Sequence, residues 1–242
     1  MAALTRERLD DGIEVLRLDR PDVRNAMDTA MLAELDAALA ELAADPALRV
    51  LVFSTTNERA LCAGADVSEQ LDHAGGVARM ELFARLYAAV DAFPAPTIAV
   101  CVGNVVGAGA ELAAGCDLRV GGHNLKLVFP GARLGVPVGP ARLVPLIGLS
   151  KARELIFTGR VVEVDEADAL GLLARRAPAA GAEGAALELA REIARHPADG
   201  LRHLKDLFRQ YEGTADRVAR ENAEIVEFQN TGGGLPYGGV KR

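Results

Sequence analysis

GNVVGAGAELAAGCDLRV, residues 103–120, is the stretch on which the reading of this chain turns. It follows a β-branched run over residues 97–102 that reads as a buried strand. Gly103-Asn104 turns the chain, and residues 107–114 read as a helix of small side chains. Upstream, LCAGADVSE at residues 61–69 has the same build, an apolar run and a glycine followed by Asp66 and Glu69 in a D-x-x-E pattern. That pattern predicts a helix starting just after Ala65, capped by Asp66. In both stretches a glycine lets the backbone approach a ligand, and the first helical amides have no intrahelical partner. They also sit at the positive end of the helix dipole. Two such amides aimed at one point form an oxyanion hole for an enolate.

Around these two stretches, strands are expected near residues 14–19, 50–53, 116–120 and 125–129, and helices over 29–44 and 77–92. Leu32, Leu35, Leu39 and Leu42 share one face of the first helix, which Pro46 closes. Strands alternating with helices imply an α/β core with buried sheets. Beyond residue 139 the chain reads as helix upon helix, over 141–147, 151–157, 165–170, 182–195, 200–211 and 214–229. The expected division is a core over residues 1–195 and a C-terminal helical region over 196–242. The ending, TGGGLPYGGVKR, is glycine-rich and is expected to be flexible or ordered by a partner.

Composition excludes several classes of function. Half of the 242 residues are hydrophobic, enough for a sizeable core. With 27 basic and 34 acidic residues the net charge is −7, which argues against a coat for nucleic acid or for an anionic membrane. The charged start holds no signal-peptide core, and prolines and glycines interrupt the longest interior uncharged stretch, residues 92–110, so no membrane span is expected. Cys62, Cys101 and Cys116 lie in apolar stretches without a CxxC, as expected of reduced thiols in a cytoplasmic protein. No GxSxG elbow, HExxH or Walker loop occurs, and the four histidines form no metal-ligand cluster. GAGAEL from Gly107 lacks the third glycine of a dinucleotide fingerprint.

Glu111 is the only charged residue between Ala92 and Cys116. A carboxyl in so apolar a stretch either finds a partner or titrates upward, and an upward shift suits a general acid/base near neutral pH. The structural alternative is a glutamate that serves the helix N-terminus or pairs with an arginine elsewhere in the chain.

Five segments resemble the crotonase superfamily of enoyl-CoA hydratases and isomerases. They are RPDVRNAMD (residues 20–28), LCAGADVSE, VVGAGAELAAGCDLRV, VFPGARLGVPVG (128–139) and FTGRVVEVDEADALGLL (157–173), in the family's order and spacing. The resemblance implies a spiral of ββα units with a C-terminal helical trimerisation region, and a homotrimer or homohexamer. It implies an acyl-CoA substrate, whose coenzyme A enters as part of the thioester, with no other cofactor and no metal. It places the oxyanion-hole amides at Ala65 and Ala108 and the acid/base at Glu111. It puts the coenzyme A site at Ala63, Gly64, Ala65, Asp66 and Val67 with Gly107, and Arg24 near the phosphates. Lys241 matches family C-terminal lysines that reach a coenzyme A phosphate.

The chain also departs from this family. Hydratases of the family carry a second glutamate where this chain has Gly131, and single-carboxylate isomerases of the family usually keep that same position rather than the one at Glu111. The aspartate of dienoyl-type isomerases falls near Gly139. The expected activity is therefore of the enoyl-CoA hydratase/isomerase type, with two alternatives: an acyl-CoA-binding protein of impaired catalysis, or a specialised crotonase using His73 or Arg133. Asp72, His73 and Tyr87 lie in helices that border the acyl pocket in the family. Arg133 is otherwise a surface charge or a partner for Glu111. Asp117 and Arg119 are expected to make structural polar contacts.

Overall fold

A computed structural model describes residues 2–236. The chain begins with β1 (Leu4–Arg8) and β2 (Ile13–Leu18), a 3-10 turn, and α1 (Thr29–Ala43). Asp28 caps α1 by accepting from the Met31 amide at 2.9 Å. Three strand–strand–helix units follow. They are β3 (Val50–Thr55), β4 (Ala60–Cys62) and α2 (His73–Asp91); β5 (Thr97–Cys101), β6 (Asn104–Val106) and α3 (Ala108–Gly115); and β7 (Leu118–Gly122), β8 (Lys126–Val128) and α4 (Gly131–Leu134).

The first strand of each unit joins a six-stranded sheet of order β1-β2-β3-β5-β7-β10, where β10 is Arg175–Ala177. The second joins a four-stranded sheet of order β4-β6-β8-β9, where β9 is Val162–Glu163. Strands β2, β3, β5, β7 and β10 run parallel, with β1 antiparallel at the edge. This is the expected ββα spiral. Strand β5 is buried along its whole length, so it reads as a continuous apolar run rather than an alternation.

The remaining helices are α5 (Pro140–Ile147), α6 (Leu149–Thr158), α7 (Val164–Ala169), α8 (Ala182–Ala194), α9 (Ala198–Glu212) and α10 (Thr214–Asn230). Helix α8 lays Ala182, Ala186 and Ala190 against the valines and isoleucines of the large sheet, the i, i+4 spacing presenting one small-residue ridge. Helix α10 packs along α2, and Ile225 and Leu235 belong to the main core cluster. No helix among the described residues is long and apolar enough to cross a membrane.

The expected helix after Ala65 is absent. Asp66 accepts from the Ser68 amide at 3.1 Å and the Ser68 hydroxyl at 2.6 Å, a local turn that competes with helix formation. Glu69 does not reach back to complete a capping box; its carboxylate takes the Thr29 amide at 3.1 Å and so serves the start of α1. The helix begins instead at His73, where Asp72 caps it through the Gly75 amide at 2.7 Å.

Residues 231–236 also differ from expectation. They fold back on α10, where the buried Gln229 amide holds both backbone groups of Leu235. Lys241 lies outside the described residues.

Candidate active site

Two backbone turns build the site. At the end of β6, Gly107 adopts φ +53, a conformation that L side chains rarely take, and aims α3 back across β4. Gly109 then lets α3 touch β4: a Cβ there would lie 2.5 Å from the Cys62 carbonyl oxygen and 2.7 Å from its Cβ. The glycines of GAGAEL are thus accounted for by helix–strand packing. The other turn, residues 63–66, is held by the 20–28 loop. The Ala63 amide donates to Arg24 O at 3.0 Å, Met27 to Gly64 O at 2.8 Å and Asp66 to Met27 O at 2.8 Å. Asn25, fully buried with φ +55, anchors that loop by donating to Thr55 and to the carbonyls of Ala60 and Leu61.

The two turns meet at one cavity of about 210 Å³. Ala63, Gly64, Ala65, Val67, Gly107, Ala108 and Glu111 all line it. Ala108 is the first residue of α3, and its amide finds no acceptor among the described residues. Asp66 does not line the cavity; its carboxylate is taken by Ser68 and by Arg20 at 3.2 Å, which hold its pKa down against its own burial. Arg24 stands at the exposed end of the loop, beside Ala63.

Glu111, 1% exposed, is the only carboxyl among the described residues that line the cavity. Burial pushes its pKa up, and Arg142 from α5 pulls it back. Arg142 Nη1 reaches Glu111 Oε2 at 3.2 Å and Glu221 Oε1 at 2.6 Å, and Nη2 reaches Asn222 Oδ1 at 3.3 Å. Its Nε lies 3.3 Å from Asp91 Oδ2, and its guanidinium carbon sits 4.4 Å from the centre of the Tyr87 ring. One guanidinium therefore serves three carboxylates, and burial raises Asp91 from 3.8 to about 6. Glu111 Oε2 is tied into this cluster. Oε1 makes no hydrogen bond among the described residues and lies beside Gly139, where a Cβ would come within 3.3 Å of it.

Arg142, the partner of Glu111, was not a candidate from sequence; its one local signal is an arginine inside the apolar run ARLVPLI. The proposed pairing of Arg133 with Glu111 is not found: Arg133 donates to Thr158 O at 3.1–3.3 Å and caps the end of α6. His73 is an exposed residue at the start of α2, 3.0 Å from the Asn230 carbonyl oxygen, and does not line the cavity. Tyr87 does line it, stacked on Phe83 at 6.0 Å. Asp117 and Arg119 make the expected structural contacts, Asp117 with Thr97 and Lys205, Arg119 with the carbonyls of Ala113, Cys116 and Leu172.

Gly131 is buried in the cavity wall, and the chain has closed over it. A Cβ there would stand 2.8 Å from Val136 O and 3.0 Å from Val138 O. The space a second carboxyl would need is bounded by Leu134, Val136 and Val138. Gly131→Ala is expected to cost about 1–3 kcal/mol in urea unfolding, as for other overpacked sites. Gly131→Glu is expected to destabilise further and to gain no hydration activity; a stable Gly131→Glu protein with raised hydration would contradict this packing.

An α/β spiral whose two strand-end turns and one buried carboxyl share an apolar cavity has the architecture of the crotonase superfamily, and solved structures agree. An enoyl-CoA hydratase from Mycobacterium smegmatis superposes with a TM-score of 0.79 at 26% identity, covering 96% of this chain and 92% of the other. One from Bacillus anthracis gives 0.80 at 23%, covering 98% and 100%, which speaks to the fold alone. The chain belongs to the enoyl-CoA hydratase/isomerase family, whose model matches residues 8–232. It is 38% identical over 196 residues to the human mitochondrial enoyl-CoA hydratase domain-containing protein 2, a match covering 76% of this chain and 65%, just under two thirds, of that relative. It is 33% identical over 204 residues to the 2,3-dehydroadipyl-CoA hydratase of Escherichia coli K12, covering 83% and 80%.

Proposed function

We propose that this protein acts on enoyl-CoA thioesters through an enolate, held by the amides of Ala65 and Ala108, with Glu111 moving the proton. The observation that carries this reading is that Glu111 lines the same cavity as both alanines. Deprotonation beside a thioester, or addition at its β carbon, collects negative charge on the thioester oxygen. Fixed donors in a dry site lower such a barrier by about 3–4 kcal/mol each.

One carboxyl suffices for double-bond isomerisation. It removes the α proton, the electron pair delocalises to the thioester oxygen, and the same group returns the proton at the γ carbon. For hydration, Glu111 takes a proton from water as its oxygen adds to the β carbon, then delivers that proton to the α carbon. The opposition of burial and Arg142 keeps both protonation states of Glu111 within reach, as either route needs. Coenzyme A is assigned to the cavity edge formed by Ala63, Gly64, Ala65, Val67 and Gly107, with Arg24 toward the phosphates; Asp66, buried and off the cavity, holds the turn rather than the ligand.

A second reading, an acyl-CoA-binding protein of impaired catalysis, is favoured by Gly131 and by the engagement of Glu111 with Arg142. A screen of enoyl-, dienoyl- and hydroxyacyl-CoAs, run beside calorimetry with a non-reactive alkyl-CoA thioether, separates the two. Turnover supports the first reading, and tight binding without turnover supports the second.

We also propose a homotrimer or homohexamer in the cytoplasm. The three buried thiols fit a reducing compartment. Helix α9 turns Lys205 inward to Asp117 at 2.7 Å while Leu204, Phe208 (64% exposed) and Tyr211 (84% exposed) form an outward apolar stripe. Such a face is expected against another subunit. Phe208→Glu is expected to reduce the mass measured by light scattering to that of a single chain; an unchanged mass removes this helix from the interface.

A further inference from the structure

We infer that residues 231–236 form a strap that closes the acyl cavity and that Leu235 sets the length of acyl chain it accepts; this rests on the acyl-CoA reading above. After α10 ends at Asn230, Gly232 (φ +93) and Gly234 (φ +81) reverse the chain toward the cavity. Gln229, fully buried, then grips one residue with both ends of its amide. It accepts from the Leu235 N–H at 2.8 Å and donates to the Leu235 carbonyl at 3.1 Å. Satisfying both backbone groups of Leu235 with one side chain fixes where its own side chain goes. That side chain is buried and lines the cavity with Ile225 of α10 and Met80 and Phe83 of α2.

A second anchor ties the strap to the turn that carries Ala65. Arg79 of α2, fully buried, donates through Nη2 to Pro236 O at 3.1 Å and through Nη1 to Asp66 O at 3.2 Å. The same guanidinium stands 3.5 Å from Glu69 Oε2. Strap and turn therefore share one buried cation, and a shift of the strap is felt one residue from Ala65. Met80, Phe83 and Ile225, which line the cavity with Leu235, are apolar, so the chain it measures is an uncharged hydrocarbon tail. Each methylene buried or excluded changes affinity by about fourfold.

The test is calorimetry of a series of n-alkyl-CoA thioethers of increasing length on the 242-residue chain and on its Leu235→Ala, Leu235→Phe and Gln229→Ala variants. For the parent, affinity is expected to rise with length and then stop rising. Leu235→Ala is expected to move that break to longer chains, with a gain of about 15-fold for a thioether two methylenes past the parent's break. Gln229→Ala, which keeps the leucine side chain but removes the amide that positions it, is expected to move the break the same way. Leu235→Phe, which keeps the core filled should the alanine variant fail to fold, is expected to move it to shorter chains. A break that stays put in the folded variants, or a change of equal size at every chain length, overturns the strap and leaves the acyl-CoA reading standing. If the parent binds no thioether at all, the acyl-CoA reading fails and takes the strap with it.

Discussion

Glu111→Gln is expected to lower turnover of any responsive enoyl-CoA by about 10²–10⁴-fold, the usual contribution of a positioned general acid/base, while acyl-CoA still binds. The amide has the size of the carboxyl, so neither the cavity nor the Gly139 contact is disturbed. Arg142 keeps Glu221 and Asp91 as counter-ions, so the fold is expected to tolerate the change. The pH dependence of stability provides an independent check. Glu111 has a pKa raised by burial in the folded chain, so between its ordinary carboxylate range and that raised value the folded protein holds the proton that the unfolded chain has lost. Stability therefore falls as pH rises through that window. In Glu111→Gln this contribution is absent, and urea unfolding followed from pH 5 upward is expected to show a shallower decline than in the parent. Full turnover in the variant would remove Glu111 from the mechanism; an equally steep decline would show that its carboxyl is ionised throughout.

The second large effect is expected at Arg142. Arg142→Met keeps much of the side-chain volume and removes the only cation paired with Glu111 and Glu221 among the described residues, which leaves three largely buried carboxyls around an apolar chain. Removing one partner of a buried ion pair costs about 3–5 kcal/mol, and the loss of the Tyr87 contact adds to it. The penalty has a sign in pH. Burial pushes Asp91 up to about 6 even with Arg142 present and raises Glu111 as well, so without that cation these two carboxyls hold their protons to higher pH. The variant is therefore expected to be least impaired in mild acid, where neutral carboxyls share protons, and progressively worse toward pH 8. Unfolding midpoints for Arg142→Met matching the parent at both pH values would mean that Arg142 does not balance this cluster.

The elements legible in the sequence were those with a local cause. The leucine stripe of α1, the β-branched run of β5 and the glycine-to-alanine entry of α3 stand within a residue or two of expectation. Glu111 was legible because a lone carboxyl in an apolar stretch demands an explanation. The turn after Ala65 was misread because Asp66 and Glu69 satisfy a capping pattern on paper, while in the fold Ser68, Arg20 and the Thr29 amide compete for the same oxygens. The glycines of the tail read as freedom, yet two of them make the reversal that lets Gln229 hold Leu235.

By itself the sequence determined the strands and helices with a strong local pattern, such as α1, β5 and α3, and that the Glu111 carboxyl sits in an apolar stretch, since periodicity, turn chemistry and desolvation all act over a few residues. Tertiary structure alone decided what those groups face. Arg142 lies 31 positions from Glu111 and 79 from Glu221, and only the packing of α5 and α10 against the spiral brings the three together. Gly131 is the sharpest case: its identity was plain from the start, but that the chain closes Val136 and Val138 over it, rather than leaving room for a second acid, is a matter of contacts that no local pattern encodes.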